Sequence, residues 1–187
     1  MPGRLAALLL CASALTAATI YDRVDASIGT HPIKESEIDR ELRITAFLNG
    51  SALTFDPYAK RGAASRLADQ ALIRDEISKG NYPSATPKET DAALKQIRTA
   101  RFRSETDYKK ALNEYGITED ELKAHIAWQI AVLNFVELRF QPKLLEQKPS
   151  SVNMLRAREE RVNQAFFAWL DEARRHTRIQ FHGELAQ

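Results

Sequence analysis

The sequence predicts a mainly α domain: about six helices in one module, closed by a small two-stranded antiparallel sheet. Three observations predict it. Capping residues followed three positions later by an acid recur along the chain, each opening a stretch with apolar residues at helical spacing. Only two segments alternate apolar and polar residues, near 22–28 and 177–182, at opposite ends of the folded part. Seven glycines in 187 residues are too few for a β architecture built on glycine turns.

Each element follows from local chemistry. Val24, Ala26 and Ile28 form the apolar side of the first strand, and Gly29-Thr-His-Pro32 reads as a turn. Ser36-x-x-Asp39 then resembles a capping box for a helix striped by Ile38, Leu42 and Thr45 and stopped by Asn49-Gly50. Asp56-Pro57 joins an N-cap to a proline at the first helical position, and the helix it opens runs to Lys79 with Gly80 as C-cap. Thr86-Pro87 with Glu89 repeats the device; Ser104 with Asp107 and Thr118 with Glu121 add two more boxes, and Gly116 ends the short helix between them.

From Ile126 to Phe140, eleven of fifteen residues are apolar, which marks a helix contacted on several sides. Gln129, Asn134, Glu137 and Arg139 interrupt it, and the run is too short to span a membrane. After Gln141-Pro142 and a linker over 141–151, a last helix runs from about Val152 to Arg175 with Leu155, Val162, Phe166, Trp169 and Leu170 on one side. Ile179 and Phe181 then alternate as a strand. An unpaired strand leaves its ladder groups unmet, so the two terminal strands are expected to pair with each other.

Residues 1–18 follow another plan. One basic residue, Arg4, precedes an apolar run from Leu5 to Ala14 and the small residues Thr16-Ala17-Ala18, the three-part layout of a secretory signal cleaved near Ala18. An uncleaved anchor and a lipid on Cys11 are the alternatives, the latter disfavoured by the bulky Leu10 before it. Cleavage removes the only cysteine, which suits an oxidising compartment. The expected destination is the periplasm, with residues 19–187 forming the mature domain: 19–140, the linker, and 152–187.

Little catalytic chemistry is legible. A formal charge of +2 gives no footprint for nucleic acid, and one cysteine excludes an internal disulfide or a thiolate metal cage. The chain has no G-x-S-x-G elbow, no G-x-G-x-x-G and no phosphate-binding loop. His31, His125, His176 and His182 form no ligand pair; His125 lies four residues after Glu121, a spacing typical of a surface ion pair. No catalytic residue, metal or cofactor is expected. The fifteen aromatic residues all lie after Ile20, several at helix edges or in loops. An aromatic-lined groove for extended polypeptide is the functional reading, with Phe55, Tyr58, Phe102, Phe140 and Phe167 as client-binding candidates; ordinary core packing is the alternative for each.

A set of short motifs in order resembles the SurA-type periplasmic chaperones and the peptide-binding module they share with trigger factor. It comprises Asp22-Arg-Val-x-Ala26, Gly29-x-x-Pro-Ile33, Ser36-Glu-Ile-Asp39, Phe102-x-Ser104, Tyr108-x-x-Ala-Leu112, Tyr115-Gly-Ile-Thr-Glu-Asp-Glu-Leu122, Arg139-Phe140, Phe167-x-Trp-Leu170 and Arg178-Ile-x-Phe181. The resemblance implies an N-terminal region folded together with a C-terminal helix and strand. It also implies ATP-independent binding of unfolded, aromatic-rich outer-membrane polypeptides. Such proteins usually carry parvulin-type prolyl isomerase domains between the two parts. Here eleven residues, Gln141 to Ser151, occupy that place, so isomerase activity is not carried over and the chain is not expected to be an enzyme. The expected partners are unfolded outer-membrane proteins or extended peptides, with no nucleic acid and no stable membrane span; a homodimer is compatible. The competing readings are a prolyl-isomerase-related protein and a non-catalytic envelope adaptor that dimerises.

Overall fold

Among the described residues, three strands and six α-helices arise where the caps and turns direct the backbone. The computed structural model describes residues 22–140 and 152–186. The expected signal (1–18) and linker (141–151) lie outside the described residues.

The sheet has three strands, not two, in the order β2-β1-β3. β1 (Val24–Ile28) and β2 (His31–Lys34) form an antiparallel hairpin across Gly29-Thr30, with Gly29 in the left-handed region (φ 56°) that favours glycine. The turn expected at Gly29–Pro32 therefore ends at Thr30, and the strand resumes through a proline. Pro32 has no N–H to donate, but β2 is an edge strand, where that loss is tolerated. β3 (Ile179–Phe181) flanks β1 on the other side, antiparallel, with Ala26 opposite Phe181 and Ile28 opposite Ile179. The N- and C-terminal strands pair as expected.

α1 (Glu35–Asn49) starts directly from β2, so its N-cap is Lys34, two residues before the expected Ser36. Glu37 accepts the Lys34 N–H at 2.9 Å. Ser36 instead donates its hydroxyl to Asp22 at 2.6 Å, tying the residues before β1 to the helix. Gly50 stops α1 at φ 64°. α2 (Pro57–Gly80) is capped by Asp56, which accepts the Ala59 N–H, but its left-handed stop is Asn81 (φ 53°) and not Gly80. α3 (Pro87–Arg101), α4 (Glu105–Tyr115) and α5 (Glu119–Phe140) begin at the expected Thr86, Ser104 and Thr118, each supplying a hydroxyl that accepts a first-turn N–H. α6 (Val152–His176) precedes β3, and a 3-10 turn (Gly183–Ala186) follows it.

Three apolar clusters hold these elements. The sheet packs Ala26, Ile28 and Ile33 against Ile38 and Leu42 of α1 and Ala63, Ala64 and Ala68 of α2, with Leu185 closing the end. Small alanines let α2 approach the sheet closely. A second cluster joins Ile44 and Phe47 of α1, Leu94 of α3, Tyr108 and Leu112 of α4, and Leu122 and Ile126 of α5. The third gathers Ile73 of α2, Phe135 of α5 and Leu170 of α6. α5 serves two clusters with different stretches, which explains its apolar residues on several sides. Among the described residues, no helix is long and apolar enough to cross a membrane.

Candidate functional site

The five aromatic candidates do not share one surface. Phe55 packs against the sheet cluster with the Arg43 guanidinium 5.0 Å above its ring. Phe102 stacks on Phe47 at 5.8 Å and meets Tyr108 edge-on at 5.4 Å, within the second cluster. Phe140 lies in the third, 5.8 Å from Phe135 and 5.9 Å from Phe166. Only Tyr58, 89 % exposed, and Phe167, 57 % exposed, present most of their surface to solvent. Phe55, Phe102 and Phe140 thus serve three separate packing centres.

A concave surface forms elsewhere, from helix positions that share a spacing. α1 contributes Glu41, Thr45 and Leu48; α2 contributes Arg66, Gln70 and Ile73; α5 contributes His125, Trp128, Gln129, Val132 and Leu133. In each helix the residues recur at i, i+4 and i+7, one face of the helix, and the three faces converge on a cleft of about 600 Å³. Leu48, Ile73, Trp128, Val132 and Leu133 form its apolar walls. Leu133 at the mouth is 65 % exposed although it is a leucine on a structured helix. The Trp128 ring is held by the Arg74 guanidinium, 4.7 Å from its centre. A smaller depression of about 250 Å³ adjoins the cleft and shares Glu41, Gln70, His125 and Trp128 with it.

The floor is polar and largely buried. The Glu41 side chain is 7 % exposed, and Arg66 Nε donates to its Oε1 at 3.1 Å. Gln70 Nε2 donates to Oε2 at 3.4 Å and the Thr45 hydroxyl to Oε1 at 3.4 Å. Arg74 donates to Gln70 Oε1 at 3.4 Å, so one polar chain connects Trp128, Arg74, Gln70, Glu41 and Arg66. A buried carboxylate is costly unless such donors meet it. His125, its side chain 13 % exposed, places Nδ1 3.9 Å from Glu41 Oε2. It does not pair with Glu121, which instead accepts from Arg40 at 2.9 Å and from the Thr118 N–H. Burial holds the His125 imidazole below its ordinary pKa; Glu41 opposes that shift, while Arg66 and Arg74 add to it.

The other histidines have separate settings. His176 rests on Glu172 at the α6 C-terminus, and His182 Nε2 lies 3.2 Å from the Ser27 hydroxyl. Among the described residues, no group of three or more His, Cys, Asp or Glu side chains could hold a metal ion. The chemistry on offer in the cleft is recognition: apolar walls for side chains, with the Asn49, Arg66 and Gln129 side chains at the lining to meet main-chain polar groups. Composition hides this site, because its positions mix polar and apolar residues; a search for one repeated i, i+4, i+7 face on three helices would have been the signal. No protein-family model matches the chain, and no curated protein matches it either.

Proposed function

We propose that this protein is an ATP-independent periplasmic chaperone of the SurA type that holds unfolded, aromatic-rich outer-membrane polypeptide in the cleft between α1, α2 and α5. The observation that carries the reading is that cleft: about 600 Å³, apolar-walled, with a half-buried tryptophan inside and an exposed leucine at the mouth. A volume of this size suits a few side chains of an extended segment, and the polar lining suits its main chain. The ordered sequence motifs and the signal-like N-terminus support the compartment and the client class. The packed aromatics Phe55, Phe102 and Phe140 then act as scaffold for the cleft, while Tyr58 and Phe167 remain candidates for secondary client contacts.

The test is aggregation of a denatured outer-membrane β-barrel diluted into buffer with a stoichiometric amount of the chain from residue 19 onward. Slowed aggregation is expected, and Trp128→Ala should weaken it. A wild-type protein with no effect would sink the proposal. Exposed Leu138, Val152, Leu155 and Phe167 favour a second reading, a dimerising envelope adaptor. Mass measured against concentration, beside peptide binding, separates the two: a tight dimer that binds no peptide favours the adaptor.

A further inference from the structure

We propose that His125 is a proton-operated gate on this cleft: apolar polypeptide is held while the imidazole is neutral and released as the ring takes up a proton. The gate rests on the polypeptide-binding reading above and adds its regulation.

The geometry gives the two ring nitrogens different neighbours. Nε2 lies 3.0 Å from Gln129 Nε2, an amide nitrogen that only donates, so the ring nitrogen accepts there and the neutral ring carries its proton on Nδ1. Nδ1 faces Glu41 Oε2 at 3.9 Å, beyond hydrogen-bond length. A second ring proton on Nε2 would point at the amide NH2 group. The Gln129 amide must then turn over, and the imidazolium is drawn toward Glu41, where it competes with Arg66. Gln129, Glu41 and Arg66 all line the cleft, so one proton rearranges its floor and one wall.

The charges around the ring come from three helices. α1 contributes Glu41, with Glu37 and Arg40 along the adjoining depression; α2 contributes Arg66 and Arg74; α5 contributes Glu121. Glu121 is engaged by Arg40, Glu41 by Arg66 and Gln70, and Glu37 by the Lys34 N–H, so each of these carboxylates already has a donor. An apolar segment covering the cleft removes the remaining water from a ring that is already mostly buried, and that disfavours the charged form. By linkage, a ligand that tolerates only the neutral ring loses affinity by up to about tenfold per pH unit below the ring's pKa in the free protein.

The experiment uses a tetramethylrhodamine-labelled peptide of alternating tyrosine and threonine with blocked ends, in which neither dye nor peptide titrates in the range of interest. Anisotropy gives its affinity at about pH 7.5 and about pH 5.0 for wild type and for His125→Gln. The wild-type affinity should fall between the higher and the lower pH, while the variant's ratio stays near one. Equal ratios in the two proteins overturn the gate. If no peptide binds at the higher pH, the polypeptide reading fails instead, and NMR of the wild type decides the gate. A Trp128 indole resonance that moves with the His125 ring titration supports it, and one that stays still overturns it. The same titration decides the question if His125→Gln does not fold.

Discussion

Truncating Leu133 to alanine isolates the cleft from the rest of the molecule. The side chain is 65 % exposed in the free protein, so about a third of its burial is already made on folding. Fully burying a leucine is worth about 1.5–3 kcal/mol, which leaves about 1–2 kcal/mol to be gained when a ligand covers the mouth. At about 1.4 kcal/mol per factor of ten, Leu133→Ala should weaken binding of an apolar peptide by about 5–30-fold. The same exposure keeps the folding cost under about 1 kcal/mol, because little packing is lost. Peptide anisotropy and urea unfolding, run on the same two proteins, read the two effects apart. Wild-type affinity in the variant would refute the assignment of the cleft. A loss of binding matched by a large loss of stability would mean that Leu133 is core and not rim.

Other changes test the scaffold. Phe135→Ala removes a ring with no exposure that meets Tyr82 at 5.0 Å and Trp169 at 5.4 Å; urea unfolding should show a loss of about 3–5 kcal/mol. Thr86→Ala deletes the hydroxyl that accepts the Glu89 N–H, and should cost about 1 kcal/mol in the same assay without altering peptide affinity. The His125 imidazole has a folded-state pKa below its ordinary 6.5, so the unfolded chain binds the proton more readily. Its contribution to stability is therefore complete above about pH 6.5 and is lost as pH falls from there to the depressed value; thermal unfolding across that window should show a smaller acid-side loss for His125→Gln.

The parts of the fold that were legible in the sequence are those decided within one helical turn. Asp56-Pro57, Thr86-Pro87, Ser104 and Thr118 each set a helix start through a hydroxyl or carboxylate and the N–H groups beside it, so neighbours in sequence suffice. The pairing of the terminal strands was legible because neither could be satisfied alone. β2 was hidden by Pro32, which reads as a breaker until its edge position is known. The displaced caps of α1 and α2 have separate causes: β2 runs straight into α1, and Asn81 takes up the left-handed turn one residue after Gly80.

The cleft was not legible because its defining contacts are long-range. The sequence offered His125 a partner four residues away in Glu121, yet the fold turns it toward Glu41 on another helix. The aromatic residues drew attention by type, but three of the five singled out are packed in three different centres. Position in the assembled helices, and not residue class, decides which apolar side chains stay uncovered; Leu133 is such a residue and was not singled out.

The pairing of β1 with β3 also makes the sheet depend on both ends of the chain. Ser27 and His182, whose side chains meet at 3.2 Å, are 155 residues apart in the chain. A chain delivered N-terminus first, as in export through a membrane, presents the β1–β2 hairpin before its third strand. Until then one side of β1 is an open edge, and the alanine-lined cluster lacks Leu185. Closure of the sheet therefore needs the last strand as well as the first. Such high-separation closure is slow, and over that interval the emerging chain itself needs protection from pairing with its neighbours.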